Sequence, residues 1–190
     1  MTASGSEQSV SDSILFGDVL VTRTDGCVTA RLESDDTLVV TIERQGPRTR
    51  KNVPIGTRDP GRLTARVNER DIVVTPGSGG MFKRTYRVLV HIGDRLLSIR
   101  PKTVDTCDFV AGKPHEAEKA FGELRARPDG SLEISWAAPT TIAVLGTTIE
   151  PPEPTAEDVL IGCALAAAFG TGALSLTAIA MGLVAAAIPG

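Results

Sequence analysis

The end of the chain, TAEDVLIGCALAAAFGTGALSLTAIAMGLVAAAIPG over residues 155–190, decides the fold. It opens with a capping box. The Thr155 hydroxyl is placed to accept from an amide of the first helical turn, and Asp158 reaches back to the Thr155 amide. Glu157 and Asp158 also suit the positive end of a helix dipole. A helix is predicted to start here. From Val159 to Gly190 no residue is charged. One helix over 159–188 would be about 45 Å long at about 1.5 Å per residue, against about 30 Å of bilayer hydrocarbon. Gly170-Thr171-Gly172 offers a break, so two helices are expected, near 156–169 and 173–187.

A helix that is apolar all round belongs in a protein core or in lipid. The abundance of alanine and glycine suits the narrow interior of a closed sheet, which needs filling. The flank is acidic (Glu150, Glu153, Glu157, Asp158), and no lysine or arginine follows Arg127. Membrane spans normally carry basic residues beside their cytoplasmic end. Burial inside a barrel, insertion as a hairpin or tilted span through residues 159–188, and burial against a partner all stand open on this evidence.

Upstream, Glu150-Pro151-Pro152-Glu153-Pro154 reads as a stiff connector. Residues 14–149 read as a strand-rich domain of about ten to twelve strands. Val28–Glu33 alternates, Thr37–Glu43 is β-branched, and Leu63, Ala65 and Val67 share one face. Phe82–Ile92 reads as a strand with Tyr86, Val88 and Val90 on one side. Asp25-Gly26, Gly93-Asp94 and Pro128-Asp129-Gly130 are turn signals. Pro54 restricts Lys51–Ile55 to an edge or irregular strand. Ile14–Thr24 and Thr140–Ile149 each read as one strand, and Lys113–Leu124 as a short exposed helix. The expected fold is therefore mainly β: an antiparallel barrel or sandwich with an apolar C-terminal helix or helical hairpin. Residues 1–13 are polar and acidic, read as a disordered leader, and lack the pattern of a signal peptide.

Three widely spaced cysteines, Cys27, Cys107 and Cys163, form no disulfide or metal pattern and fit a reducing, cytoplasmic setting. No cofactor is implied. His115-Glu116 begins like a zinc-binding helix motif, but position 119 is lysine. Gly77-Ser78-Gly79-Gly80 lacks the lysine of a phosphate loop and precedes a strand. No cluster has catalytic spacing, which points to a non-enzymatic binding or scaffold domain.

Charge is the informative polar feature. Residues 1–43 are net −6, residues 44–102 net +10 and residues 103–158 net −7. Arg44, Arg48, Arg50, Lys51, Arg84 and Arg87 are the candidate anionic-ligand residues. Anionic phospholipid or phosphorylated ligands suit such a patch. The scarcity of stacking aromatics argues against nucleic acid.

The order of elements resembles the tubby-like and LURP-one-related group, which includes the phospholipid scramblases. The residues that carry the resemblance are Tyr86–Val90 with Gly93–Arg100, similar to its strand–turn–strand repeat, and Glu157–Ile161 with Ala164–Ala166, similar to its terminal helix. The resemblance implies a twelve-stranded barrel around an apolar C-terminal helix, a binding or scaffold role sometimes exerted at anionic lipid, and no catalytic residues.

Overall fold

Period-two alternation builds the sheet. In the strand Cys27–Leu32, Val28, Ala30 and Leu32 are buried while their neighbours are only partly covered, as a pleat with one face on a core requires. The computed structural model describes residues 5–142 and 147–172. Its main sheet holds β1 (Glu7–Asp12), β2 (Asp18–Thr24), β3 (Cys27–Leu32), β4 (Val39–Arg44), β5 (Leu63–Val67), β6 (Arg70–Pro76), β7 (Val88–Ile92), β8 (Arg95–Pro101), β9 (Thr106–Val110), β10 (Ala120–Ala126) and β11 (Leu132–Trp136). Each strand pairs antiparallel with the next in sequence, so the spatial order is the chain order. A separate hairpin joins β12 (Thr140–Ile142) and β13 (Thr147–Ile149).

The eleven strands curl into a nearly closed barrel. In an up-and-down sheet with an odd strand number, the first and last strands run the same way. The seam follows that parity: Leu132 N donates to Ser11 Oγ (2.8 Å) and Trp136 Nε1 to Ser13 O (2.7 Å), both advancing together. Arg23 Nη2 adds a bond to Gly130 O at 3.1 Å. The seam is thus tied partly by side chains.

Inside lies α1, Ala156–Phe169. An interior wider than side chains alone can fill takes a helix of alanine, glycine and a few large residues. Every residue from Asp158 to Phe169 is buried, against β2, β3, β4, β8 and β10. Gly162 shows how close the fit is: a Cβ there would lie 3.0 Å from the Phe109 ring. The capping box is present, with Asp158 N donating to Thr155 Oγ1 (3.2 Å) and Thr155 N to Asp158 Oδ2 (2.9 Å). The helix stops at Gly170, whose φ of 81° leaves the helical region at little cost for a residue without Cβ. The first expected helix is therefore present and buried in the barrel; the second, 173–187, lies outside the described residues. No helix among the described residues is long and apolar enough to cross a membrane.

Several local expectations are corrected. Residues 7–12, placed in the disordered leader, form β1, because Ser9 and Ser11 alternate inward and the backbone completes a ladder with β2. The Ile14–Thr24 run begins as a turn, held by Ser13 Oγ on Gly17 O, with Ile14 at φ 65°. Lys51–Ile55 is a looped segment. Its Val53 and Ile55 are buried, and its carbonyls accept from arginines, which replaces a ladder. Phe82–Tyr86 is not strand: Lys83–Tyr86 is a 3-10 turn. Lys113–Leu124 yields only a 3-10 turn, Ala117–Lys119, before β10. Thr140–Ile149 divides into β12 and β13.

Candidate functional site

Successive hairpins alternate between the two mouths of the barrel, and this alternation sorts the charges. The β2–β3, β4–β5, β6–β7, β8–β9 and β10–β11 connections gather where α1 ends; together they hold ten cations and four carboxylates. The β1–β2, β3–β4, β5–β6, β7–β8 and β9–β10 connections gather where α1 begins; they hold two cations and seven carboxylates. The polarity complements the helix dipole, whose positive end lies at the acidic mouth and negative end at the basic one.

At the acidic mouth, the charges of the helix start are matched side chain to side chain. Glu157 accepts from Arg70 Nη2 (2.5 Å) and Arg95 Nη2 (2.6 Å), and Asp158 from Arg95 Nη1 (2.8 Å). This end is a clamp on α1.

The basic mouth is assembled by hydrogen bonds between loops. Ile55 N donates to Ala168 O (2.9 Å), satisfying a carbonyl of the last helical turn. Arg58 Nη2 donates to Phe169 O (3.2 Å), and Arg58 Nη1 to Gly77 O (3.3 Å) and Tyr86 O (3.4 Å). The Arg58 guanidinium stands over the rings of Tyr86 and Phe169, 5.1 and 5.6 Å from their centroids. Lys83 Nζ donates to Lys102 O (2.8 Å), joining the β6–β7 and β8–β9 loops. Thr171 Oγ1 donates to Asp105 O (2.5 Å), so the chain leaves α1 at this mouth.

The predicted site residues divide here. Arg44 and Arg48 both pair with Asp25 (3.3 and 2.9 Å). Arg44 also donates to Gly46 O and Ile55 O, and Arg48 to Val53 O and Pro54 O, so both guanidinia brace the β4–β5 loop. The hydrogen bonds from Arg48, then Arg44, hold the Asp25 carboxyl below the usual range. Arg50 lies exposed beside Gly79 O, at 3.4 Å. Lys51 is exposed and makes no hydrogen bond or ion pair among the described residues. Arg84 stands over the Phe82 ring at 5.3 Å. Arg87 is half-buried, with Nε unpartnered. Arg50, Lys51 and Arg84 thus face solvent on the basic mouth, while Arg44 and Arg48 are engaged within the protein.

Three features of this mouth lie beyond the sequence-derived set. Met81 and Phe82 are 77% and 63% exposed, at the tip of the β6–β7 loop and directly before Lys83-Arg84. Val104, in the β8–β9 loop, is 59% exposed. Arg58 is 6% exposed yet makes no ion pair among the described residues. The dipeptide Met81-Phe82 beside two cations was masked by the strand reading of Phe82–Ile92, which places Phe82 on the same face as Tyr86, Val88 and Val90. Arg58 carries no local signal, because it lies within the basic span 44–102 and nothing adjacent in sequence marks it for burial.

A cleft of about 240 Å³ opens at this mouth, between the β4–β5 and β8–β9 loops and the end of α1. No cluster of three or more metal-ligating residues occurs among the described residues. Cys107 and Cys163 are buried, and desolvation raises both thiols, Cys163 to about 12, so neither is a thiolate nucleophile at neutral pH. Compared with protein-family models, with curated proteins and with solved structures, the chain matches none of them.

Proposed function

We propose that this protein is a non-enzymatic recognition domain that docks its basic mouth on an anionic lipid surface. The observation that carries the reading is the coincidence, on one mouth, of surplus cations with large exposed apolar side chains, Met81, Phe82 and Val104. Surplus cations attract an anionic leaflet at about 1 kcal/mol per residue near the surface. Apolar tips among them suit entry into the headgroup region and have no use on a phosphate backbone, which favours lipid over nucleic acid. Residues 173–190, which follow this mouth in sequence, carry no charge. In the membrane-anchored form of the reading, that segment enters the bilayer. A barrel around an apolar C-terminal helix is also the architecture implied by the resemblance to the tubby-like group, although the sheet has eleven strands where the resemblance implies twelve.

Co-sedimentation of the full chain with phosphatidylcholine vesicles, with and without phosphatidylserine, tests this. Binding is expected to require phosphatidylserine and to weaken with salt. It should fall at least tenfold when Arg50, Lys51 and Arg84 are changed to glutamate, and also in Phe82→Asp. Arg44 and Arg48 are left intact because they brace the loop. Equal binding by the wild type and both variants overturns the reading.

A further inference from the structure

The cleft at the basic mouth contains a buried cation whose partners do not account for it. Arg58 has five N–H donors, as every guanidinium does. Three go to the carbonyls of Gly77, Tyr86 and Phe169. Nε is buried with no partner, and Nη2 keeps one hydrogen. The Nε–Nη2 side is the edge that grips a carboxylate or phosphate through two parallel bonds. No carboxylate forms an ion pair with Arg58 among the described residues. Burial lowers its pKa to about 10, which leaves it cationic at neutral pH. A clamp on the helix end needs only the bond to Phe169 O. It does not explain the orphaned Nε, which is costly in a protein interior.

The surroundings indicate what compensates it. Arg58 lines the cleft together with Val53, Pro54, Val104, Ala126 and Phe169. Asp105 also lines it, but its carboxylate is held by Thr103 Oγ1 (2.7 Å) and Arg125 Nε (2.8 Å). The cleft therefore pairs one unneutralised guanidinium with apolar walls. At about 240 Å³ it is smaller than the roughly 300–1,000 Å³ of typical ligand pockets, a size for a head group and its first few methylenes. Gly79, at φ 64°, packs over the inner side of Arg58; a Cβ there would lie 2.8 Å from Cδ.

We propose that this cleft binds a single-chain amphiphile with a phosphate or carboxylate head, the head held by Arg58 and the first part of the chain lying along Val53, Val104 and Phe169. The inference is independent of vesicle docking, because an amphiphile monomer in solution reports it. The test is titration of the full chain with dodecyl phosphate below its micelle concentration. Binding is followed by calorimetry and by the ¹⁵N–¹H resonance of Arg58 Nε, with inorganic phosphate and dodecyl maltoside as parallel titrants. Dodecyl phosphate should bind and move the Arg58 Nε resonance. Inorganic phosphate should bind at least tenfold more weakly, and dodecyl maltoside should leave the resonance in place. Arg58→Lys, which keeps the charge and loses the edge, should weaken dodecyl phosphate at least tenfold. If that variant does not fold, Val104→Trp carries the test, because a larger side chain at this exposed wall residue takes up the volume of the cleft. Wild-type binding no tighter for dodecyl phosphate than for inorganic phosphate overturns the amphiphile, and unchanged binding in Val104→Trp overturns the cleft.

Discussion

The two mouths of the barrel receive the two ends of one helix and treat them in opposite ways. Where α1 begins, Thr155, Glu157 and Asp158 are matched by Arg70, Arg95 and the capping amides, with the Asp158 side chain 2% exposed. Where α1 ends, its last carbonyls accept from a backbone amide and from Arg58, a cation with no carboxylate ion pair among the described residues. The first mouth carries few cations beyond those that seat the helix. The second keeps exposed cations that no carboxylate pairs among the described residues, beside the exposed apolar tips Met81, Phe82 and Val104. The contrast separates groups that hold the fold from groups available to a ligand, although Arg70 and Arg95 of the first mouth and Arg50, Lys51 and Arg84 of the second come from the same span of basic sequence, residues 44–102.

Removing what both mouths hold has the largest expected effect. Val159, Leu160, Ile161, Leu165 and Phe169 are buried in the barrel, and each contributes about 1.5–3 kcal/mol on burial. Their sum, on the order of 10 kcal/mol, is as large as the whole stability of an ordinary domain, about 5–15 kcal/mol. A chain ending at Thr155 is therefore expected to lack cooperative thermal unfolding and to aggregate. A sharp transition near that of the full chain would show that the barrel stands without its helix.

Breaking the paired mouth alone costs less. Asp158→Ala removes the reciprocal cap and the acceptor of Arg95 Nη1. Loss of a cap costs about 0.5–2 kcal/mol. The ion-pair loss is modest because Arg95 is half exposed and can be rehydrated. Urea denaturation should report a loss of about 2 kcal/mol, with binding to phosphatidylserine vesicles unchanged. A parallel loss of vesicle binding would mean that the two mouths are not separable.

The smallest effect sharpens the contrast by pH. Asp105, at the basic mouth, is held down to about 2 by the hydrogen bond from Thr103 and then that from Arg125. A carboxyl depressed on folding contributes stability that is complete above its ordinary value of 3.8, and that is lost as pH falls from there through about 2. The Tm of Asp105→Asn should lie below wild type at pH 5 and converge with it near pH 2. A constant gap across that range would assign the effect to lost hydrogen bonds and not to ionisation.

Legibility in the sequence followed the range of the interactions. The start and stop of α1 were readable because they are local: a capping box over Thr155–Asp158 and a glycine at 170. Hairpins such as Asp25-Gly26 and Pro128–Gly130 were readable for the same reason. The loops 45–62 and 77–87 were not, because tertiary hydrogen bonds hold them: Arg48 on the carbonyls of Val53 and Pro54, and Arg58 on Gly77 and Tyr86. β1 was hidden by its serines, which look like solvent-facing residues until β2 and β11 enclose them.

The sequence by itself determined a β-rich chain with one uncharged helical segment, where that helix begins and breaks, and an excess of cations in its middle third. Only the tertiary structure decided that the helix fills a barrel, that antiparallel hairpins send alternate loops to opposite mouths, and that Arg44 and Arg48 brace a loop while Arg50, Lys51 and Arg84 face solvent. The physical reason is the distance over which each is set. Helix capping and strand alternation act within a few residues, whereas the fate of Arg58 depends on a carbonyl at Phe169, which lies beside it only after eleven strands have closed around α1.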